Sequence, residues 1–327
     1  MARHPYFEVA HLTASDRSVG KTYADSAAWR LTSEPYGRCG KMVVRVSDPQ
    51  VAFSPVVFSA LDTAPARDIE PAFAQAGALV FSNASAFRMA EDVPLLIPEV
   101  NPSHLELLAV QRKQRGWKGG IVCNANCTAT VLAMALAPLQ ERFGVDAVMM
   151  TSMQAVSGAG YPGVPSLDIL GNVIPFISSE EEKIQDEIPK MLGTFDHSAI
   201  RKANLTVSAL CNRVPVLDGH TEAVSVKLGG NPAPELVATA FLEWAPEPQR
   251  LKLPSAPPIP IRVYQQENRP QPRLDVEQDD GMSIHVGRIR VCPILGIKFT
   301  VLGHNTHRGA AGGSVLNAEL AHSRGVT

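Results

Sequence analysis

Nowhere in this 327-residue chain is there a run of roughly 18 apolar residues, the length a membrane-crossing helix needs. It also lacks an excess of one charge, since 30 Lys and Arg stand against 32 Asp and Glu for a net charge of −2. Neither a nucleic-acid nor a membrane-surface partner is expected from such a balance. Its five cysteines, Cys39, Cys123, Cys127, Cys211 and Cys292, are odd in number and scattered. With no Cys-x-x-Cys and no paired-histidine spacing, a disulfide framework is excluded as the expectation, and so is a metal site. Met1-Ala2-Arg3-His4-Pro5-Tyr6 lacks the apolar core of a secretory signal, and the expected compartment is the cytosol. What is present is a 45% hydrophobic composition with mean hydropathy near zero, in a chain long enough for two packed domains. No internal repeat is visible.

Strands and helices alternate in the first part. Strand-like runs fall at 7–12, 42–46, 56–61, 78–81 and 93–97, with a helix over 69–76 closed by Gly77 and another opened by Ser103 as N-cap and reaching Arg115. Short loops between such elements argue for a parallel α/β sheet. After residue 147 the runs lengthen: 148–156, 205–216, 223–228 and 282–291 read as strands, 180–192 and 234–244 as helices. That texture is α+β. The proline-rich stretch 254–272 reads as a surface excursion. The last strand (298–303) and final helix (310–322) are expected to return to the first domain. The expected division is 1–126 with 298–327 as one domain and 127–297 as the other.

The segment Ile121-Val122-Cys123-Asn124-Ala125-Asn126-Cys127-Thr128 sets a cysteine where a short apolar strand meets a helix. Apolar residues at Val131, Leu132, Met134, Leu136 and Leu139 have helical spacing and leave Cys127 in the first turn. Unpaired N–H groups and the helix dipole there favour a thiolate, so Cys127 is a candidate nucleophile. A nucleophile needs a base, and Arg213-Val214-Pro215-Val216-Leu217-Asp218-Gly219-His220 offers His220 just past a turn, with Arg213 able to fork onto a carboxylate. Glu180 and Lys183 share a helix face at i and i+3. The loop Ser157-Gly158-Ala159-Gly160-Tyr161-Pro162-Gly163 formally matches G-x-G-x-x-G, but Pro162 and Pro165 interrupt the helix such a dinucleotide turn requires.

Together these segments resemble the aspartate-β-semialdehyde dehydrogenase family, in its fungal and archaeal-like branch. The likeness rests on Leu12-Thr13-Ala14-Ser15-Asp16-Arg17-Ser18-Val19-Gly20-Lys21, Cys123-Asn124-Ala125-Asn126-Cys127, Gln154-Ala155-Val156-Ser157-Gly158-Ala159-Gly160, Asn172-Val173-Ile174-Pro175, Glu180-Glu181-Glu182-Lys183, the run from Arg213 to His220, Gly287-Arg288-Ile289-Arg290, and the run from Asn305 to Ala311, in family order over nearly the whole chain. N-acetyl-glutamyl-phosphate reductases share the chemistry, but the segments around Glu180 and Arg213 fit the aspartyl family better.

The resemblance implies NADPH-dependent reductive dephosphorylation of L-4-aspartyl phosphate to L-aspartate 4-semialdehyde, on the route to threonine, methionine and lysine. Cys127 would attack the acyl phosphate, and His220 would take and return a proton, as suits an imidazole whose pKa lies near operating pH. Gln154 and Asn126 would position carbonyl and thiol. Arg213 would hold the α-carboxylate, Glu180 the ammonium, and Arg88 and Lys183 the phosphate. For NADP(H) the resemblance points to Ser15, Arg17 and Ser18 at the 2′-phosphate and to Ser157, Gly158, Gly160 and Asn305 along the nicotinamide side, with Ser59 a further candidate. It implies a homodimer or homotetramer.

One departure stands out. Family members open with a strand, a glycine-rich turn and a helix before a segment like His4-Pro5-Tyr6-Phe7, where this sequence begins. The expected fold is therefore α/β, an N-terminally truncated Rossmann-like nucleotide-binding domain plus an α+β catalytic and dimerisation domain, and weak NADPH binding is expected. The alternative reading is a cofactor-deficient pseudoenzyme or a thiol-dependent acyl hydrolase or transferase.

Overall fold

A computed structural model describes residues 4–30 and 37–327. In the first unit β1 (Thr13–Ala14) and β2 (Arg45–Val46) pair in parallel around the single-turn helix α1 (Tyr23–Ser26). Beside them β3 (Val56–Ser59), β4 (Leu79–Ser82), β5 (Leu95–Leu96) and β6 (Gly120–Asn124) form an all-parallel sheet ordered β3-β4-β6-β5. Parallel neighbours need crossovers, supplied here by α2 (Thr63–Ala76) and α3 (Leu107–Arg115). Every residue of β4 and β6 is buried, as in strands covered on both faces. Gly77 ends α2 with φ of 112°, a left-handed cap that glycine takes without strain.

From β6 the chain enters α4 (Cys127–Phe143), buried all round from Thr128 to Leu139. Such a helix spends no face on water and joins the two units. The second unit runs β7 (Val145–Gln154), α5 (Ser166–Ile169), α6 (Glu180–Met191), the hairpin β8 (Thr194–Phe195) and β9 (Ile200–Arg201), β10 (Thr206–Arg213), β11 (His220–Leu228), α7 (Pro234–Glu243), α8 (Glu247–Leu251), β12 (Ile261–Tyr264), α9 (Pro272–Asp275), β13 (Ile284–Cys292) and β14 (Gly296–Gly303), closing with α10 (Gly312–Ser323). Its six-stranded mixed sheet is ordered β10-β7-β11-β14-β13-β12, and α4, α6 and α7 pack on it around the main core.

Strand alternation decides what that sheet offers the helices. Val148, Met150, Ser152 and Gln154 of β7 are buried while Met149 is exposed, and His220, Glu222, Val224 and Val226 of β11 are buried on the same alternation. Arg213 pairs with Gln154 and Thr221 with Met153, so Gln154, Arg213 and His220 meet at one end of the sheet.

Several sequence expectations shift. The strand expected over 7–12 is not formed: those residues are irregular, and β1 begins only after them at Thr13. Ser103 lies inside a 3₁₀ turn (Pro102–Glu106) ahead of α3 rather than capping it. The strand expected over 298–303 belongs to the large sheet, because a short turn makes β14 an antiparallel hairpin with β13; α10 does pack on the first sheet, against Leu79, Phe81 and Val122. Part of the proline-rich stretch is β12, an edge strand of the large sheet whose four residues include no proline.

Candidate active site

Asn126 caps α4, its side chain accepting from Ala129 N–H at 3.0 Å, a bond worth about 1 kcal/mol. That cap fixes Cys127 as the first helical residue. Its Sγ lies 3.3 Å from Nε2 of His220, which enters from the start of β11. His220 Nδ1 accepts the Ala155 N–H at 3.2 Å, so the neutral ring carries its proton on Nε2, facing sulfur.

Electrostatics differ from the sequence expectation. Burial, with the charge of Glu180 adding to it, pushes the Cys127 thiol up to about 12 against the opposing Arg88 and Thr128. Burial, then Arg213 and His304, pushes His220 down to about 3. The thiolate expected from the helix terminus and the imidazole expected to titrate near operating pH are both opposed by desolvation, which favours the neutral thiol and the neutral ring.

Glu180, the first residue of α6, is buried, and its Oε1 accepts from Asn126 Nδ2 at 3.0 Å, Gln154 Nε2 at 3.1 Å and Thr128 Oγ1 at 3.2 Å. All three bonds fall on one oxygen, which leaves Oε2 for a ligand. Gln154 is thereby tied to Glu180 and to Ser152 Oγ. Arg213 donates through Nη1 to Ala155 O at 2.7 Å. Lys183 lies one turn along α6 from Glu180. Arg88 donates to Asn83 O at 2.9 Å and to Glu187, while its Nε is buried without a partner.

The turn after β7 closes over this centre. A methyl on Gly158 would come within 2.9 Å of both Arg213 Nη1 and His220 Cε1, so only glycine fits. Asn305 donates to Ser157 Oγ and accepts from Gly219 N–H, each at 2.8 Å, tying the turn to the residue before His220. Gly160 sits at the turn's open side with nothing near its Cβ direction. Ser157, Gly158 and Asn305 are thus brought to the nucleophile.

Ser15, Arg17 and Ser18 are not. They occupy the turn after β1, where Ser15 lines a cavity of about 600 Å³ shared with Ser59. A second cavity of about 610 Å³ lies along β3 and reaches Asn83, which accepts from Asn124 Nδ2 at 2.8 Å. Ser59 and Ser314 line it with buried hydroxyls that have no hydrogen-bond partner, as suits a polar ligand. The two cavities make a path from the β1 turn toward the Arg88 loop and Cys127.

Two family models match the chain: "Semialdehyde dehydrogenase, NAD binding domain" over residues 1–108 and "Semialdehyde dehydrogenase, dimerisation domain" over 136–308. An aspartate-semialdehyde dehydrogenase of Archaeoglobus fulgidus is 52% identical over 98% of this chain and 92% of its own length. The chain belongs to the aspartate-semialdehyde dehydrogenase family. The family's Saccharomyces cerevisiae member is 43% identical over 100% of this chain and 93% of its own. The crystal structure of the Candida albicans member with NADP superposes with a TM-score of 0.91 at 40% identity, covering 99% of this chain and 94% of that one. The NAD-binding model matches from residue 1, and the cofactor-free alternative is not borne out. No helix among the described residues is long and apolar enough to cross a membrane.

Sequence reading missed several groups that shape this family site. Gly309 lies in a π-turn where a methyl would sit 2.6 Å from Cys127 Cβ. That turn is anchored by Arg308, whose Nη1 and Nη2 reach Glu99 at 2.6 and 2.5 Å, both side chains being buried. Glu222, the cross-strand partner of Ser152, is fully buried with neither oxygen partnered, and burial and then the charge of Glu180 raise it well above the usual carboxylate range. Helical spacing from Glu180 was the signal that could have found Glu187 and Lys190. Glu277, His304 and His307 bring possible metal-ligand atoms within 4.8 Å of one another. However, His304 Nδ1 accepts N–H groups of Thr306 and His307 at 3.3 Å, which leaves the ring proton, not a lone pair, facing Glu277.

Proposed function

We propose that this chain catalyses the NADPH-dependent reductive dephosphorylation of L-4-aspartyl phosphate to L-aspartate 4-semialdehyde. The observation that carries the reading is the Cys127 Sγ to His220 Nε2 contact of 3.3 Å, with Glu180 Oε2 unbonded beside it, in a chain of this family. Arg213 holds the substrate α-carboxylate, Glu180 Oε2 meets the ammonium, and Arg88 with Lys183 takes the phosphate. Cys127 attacks the acyl carbonyl, its S–C bond forms, the C–O bond to phosphate breaks, and a thioester remains. Asn126 and Gln154 hold Glu180 and the first turn of α4 still while this happens.

His220 carries the proton. Its Nε2–H can donate to sulfur as the C–S bond later breaks; taking the thiol proton requires the ring to shift its own proton to Nδ1 and give up the Ala155 bond. The chemistry that NADPH supplies when bound is hydride to the thioester carbonyl. Residues suited to hold it are Ser15, Arg17 and Ser18 at the far end of the cleft, Ser59 along β3, and Ser157, Gly158, Gly160 and Asn305 near Cys127. The buried, unpartnered hydroxyls of Ser59 and Ser314 support that path. Assembly as a homodimer or homotetramer through the second unit, in the cytosol, completes the proposal.

The test runs the reaction backwards. Semialdehyde, phosphate and NADP⁺ should give NADPH absorbance that disappears in Cys127→Ala. Phosphate release from aspartyl phosphate without NADPH oxidation would replace this reading with a hydrolase.

A further inference from the structure

Helix α6 carries two buried charged residues outside the set already assigned. Glu187 is 2% exposed; its Oε1 accepts from Arg88 Nη1 at 3.1 Å and its Oε2 from the backbone N–H of Asn126 at 2.6 Å. One carboxylate therefore bridges the guanidinium offered to phosphate and the residue immediately before the nucleophile. Lys190, one turn on, is 4% exposed, and its Nζ donates to the carbonyls of Arg88 at 2.7 Å, Ala90 at 2.8 Å and Val93 at 2.9 Å. Its three donors are all used, and all three hold the loop that carries Arg88. Ile184, Ile188 and Met191, each at 0% exposure, fix α6 itself in the core. Glu180, Glu187 and Lys190 thus lie along one rigid helix, which touches the substrate site at one end and the Arg88 loop at the other.

We propose that Glu187 and Lys190 are positioning residues that set the distance between the phosphate-binding guanidinium of Arg88 and the thiol of Cys127. The inference rests on the function proposed above. In an acyl phosphate a single oxygen separates phosphorus from the carbonyl carbon, so the anion anchor and the nucleophile must keep a fixed separation. A misplacement of about 1 Å costs on the order of 100-fold. Neither residue needs to touch substrate. Fully buried charges are expensive unless they are bonded on every side, and these are bonded to the two groups whose relative position matters.

Reverse-direction kinetics separate this role from a general structural one. In Glu187→Gln and Lys190→Met the KM for phosphate should rise about tenfold or more while the KM for semialdehyde stays within about twofold, and Lys190→Arg should recover most of the loss. A pH series adds a second reading. Burial pushes the Lys190 amine down to about 8, with Cys123, Lys202, Asp92, Glu187 and His104 the charged and titratable groups facing it. The phosphate KM of the unmodified protein should therefore climb above that pH, and that of Lys190→Arg should not. Equal losses in both KM values, or no change in either, overturn the proposal.

If Glu187→Gln or Lys190→Met fails to fold, Glu187→Asp carries the same phosphate-selective test, with the same overturning results, and Lys190→Arg remains the rescue. If the unmodified protein forms no NADPH, the functional reading fails first. The positioning role is then read from inorganic phosphate protecting Cys127 against iodoacetamide: a higher protecting concentration in the Glu187 variant supports it, and an unchanged one overturns it.

Discussion

The surroundings of Cys127 and the cleft along β3 solve opposite problems. Around the thiol, Asn126, Gln154, Glu180, Glu187, Arg213 and His220 are all buried and bonded largely to one another and to backbone. Along the cleft the polar groups wait: Ser15 and Arg17 are exposed, and the Ser59 and Ser314 hydroxyls are buried without partners beside cavities of about 600 and 610 Å³. A centre that moves protons and an acyl group needs geometry fixed before substrate arrives, so its polar groups satisfy each other. A cleft for a long polar ligand leaves donors and acceptors for the ligand to satisfy. The first region should therefore break sharply under single substitutions, and the second gradually.

The largest effect tests whether the regions separate at all. Cys127→Ala should lower NADPH formation by about 10³-fold or more while NADP⁺ affinity, measured by fluorescence titration, stays within about twofold. Joint loss would mean that the cleft depends on the thiol centre for its shape. Gly309→Ala comes next. Its methyl would meet Cys127 Cβ at 2.6 Å, and Gly309 is held by the buried Arg308–Glu99 pair, so the sulfur must move. A fall of about 100-fold in kcat/KM with melting temperature little changed is expected; near-normal kcat/KM would show that the π-turn yields instead.

Glu180→Gln reads the charge field rather than the packing. Because Glu180 raises the thiol, removing its charge lowers it. Iodoacetamide labelling of Cys127 in the unmodified protein should still be rising at pH 10, and the variant's curve should lie at lower pH, labelling about tenfold faster at a given pH. Coincident curves would assign the raised thiol to burial alone.

The same contrast explains what the sequence made visible. Cys127, Gln154, Glu180, Arg213 and His220 sit in short local signatures: a strand-to-helix join, a strand end, a helix start. Strand parity then forces Gln154, Arg213 and His220 together. The parallel first sheet was legible from alternating short runs, and so was the end of α2 at Gly77. What could not be read is long-range. Whether strand 298–303 joined the first or second sheet depends on pairing partners, not on its own residues. The clamp from Glu187 and Lys190 to the loop of Arg88 spans 99 to 102 positions, and no local pattern announces it. Protonation is hidden for the same reason: the helix dipole is visible in sequence, whereas the long-range packing that desolvates thiol and ring is not.

Arg17→Ala should give the smallest effect and the cleanest cut between the two regions. Arg17 lies in an exposed turn with Ser15 and Ser18, so water screens whatever charge it offers, and the loss should be near 1 kcal/mol, about fivefold in the KM for NADP⁺. NAD⁺ has no 2′-phosphate for Arg17 to meet, and its KM should not move. Labelling of Cys127 by iodoacetamide should be unaltered, because no bond of the turn reaches the thiol network. A rise shared by NADP⁺ and NAD⁺ would mean that the turn shapes the cleft for any dinucleotide. Unchanged values for both would move the 2′-phosphate away from this turn and toward another part of the cavity beside β3.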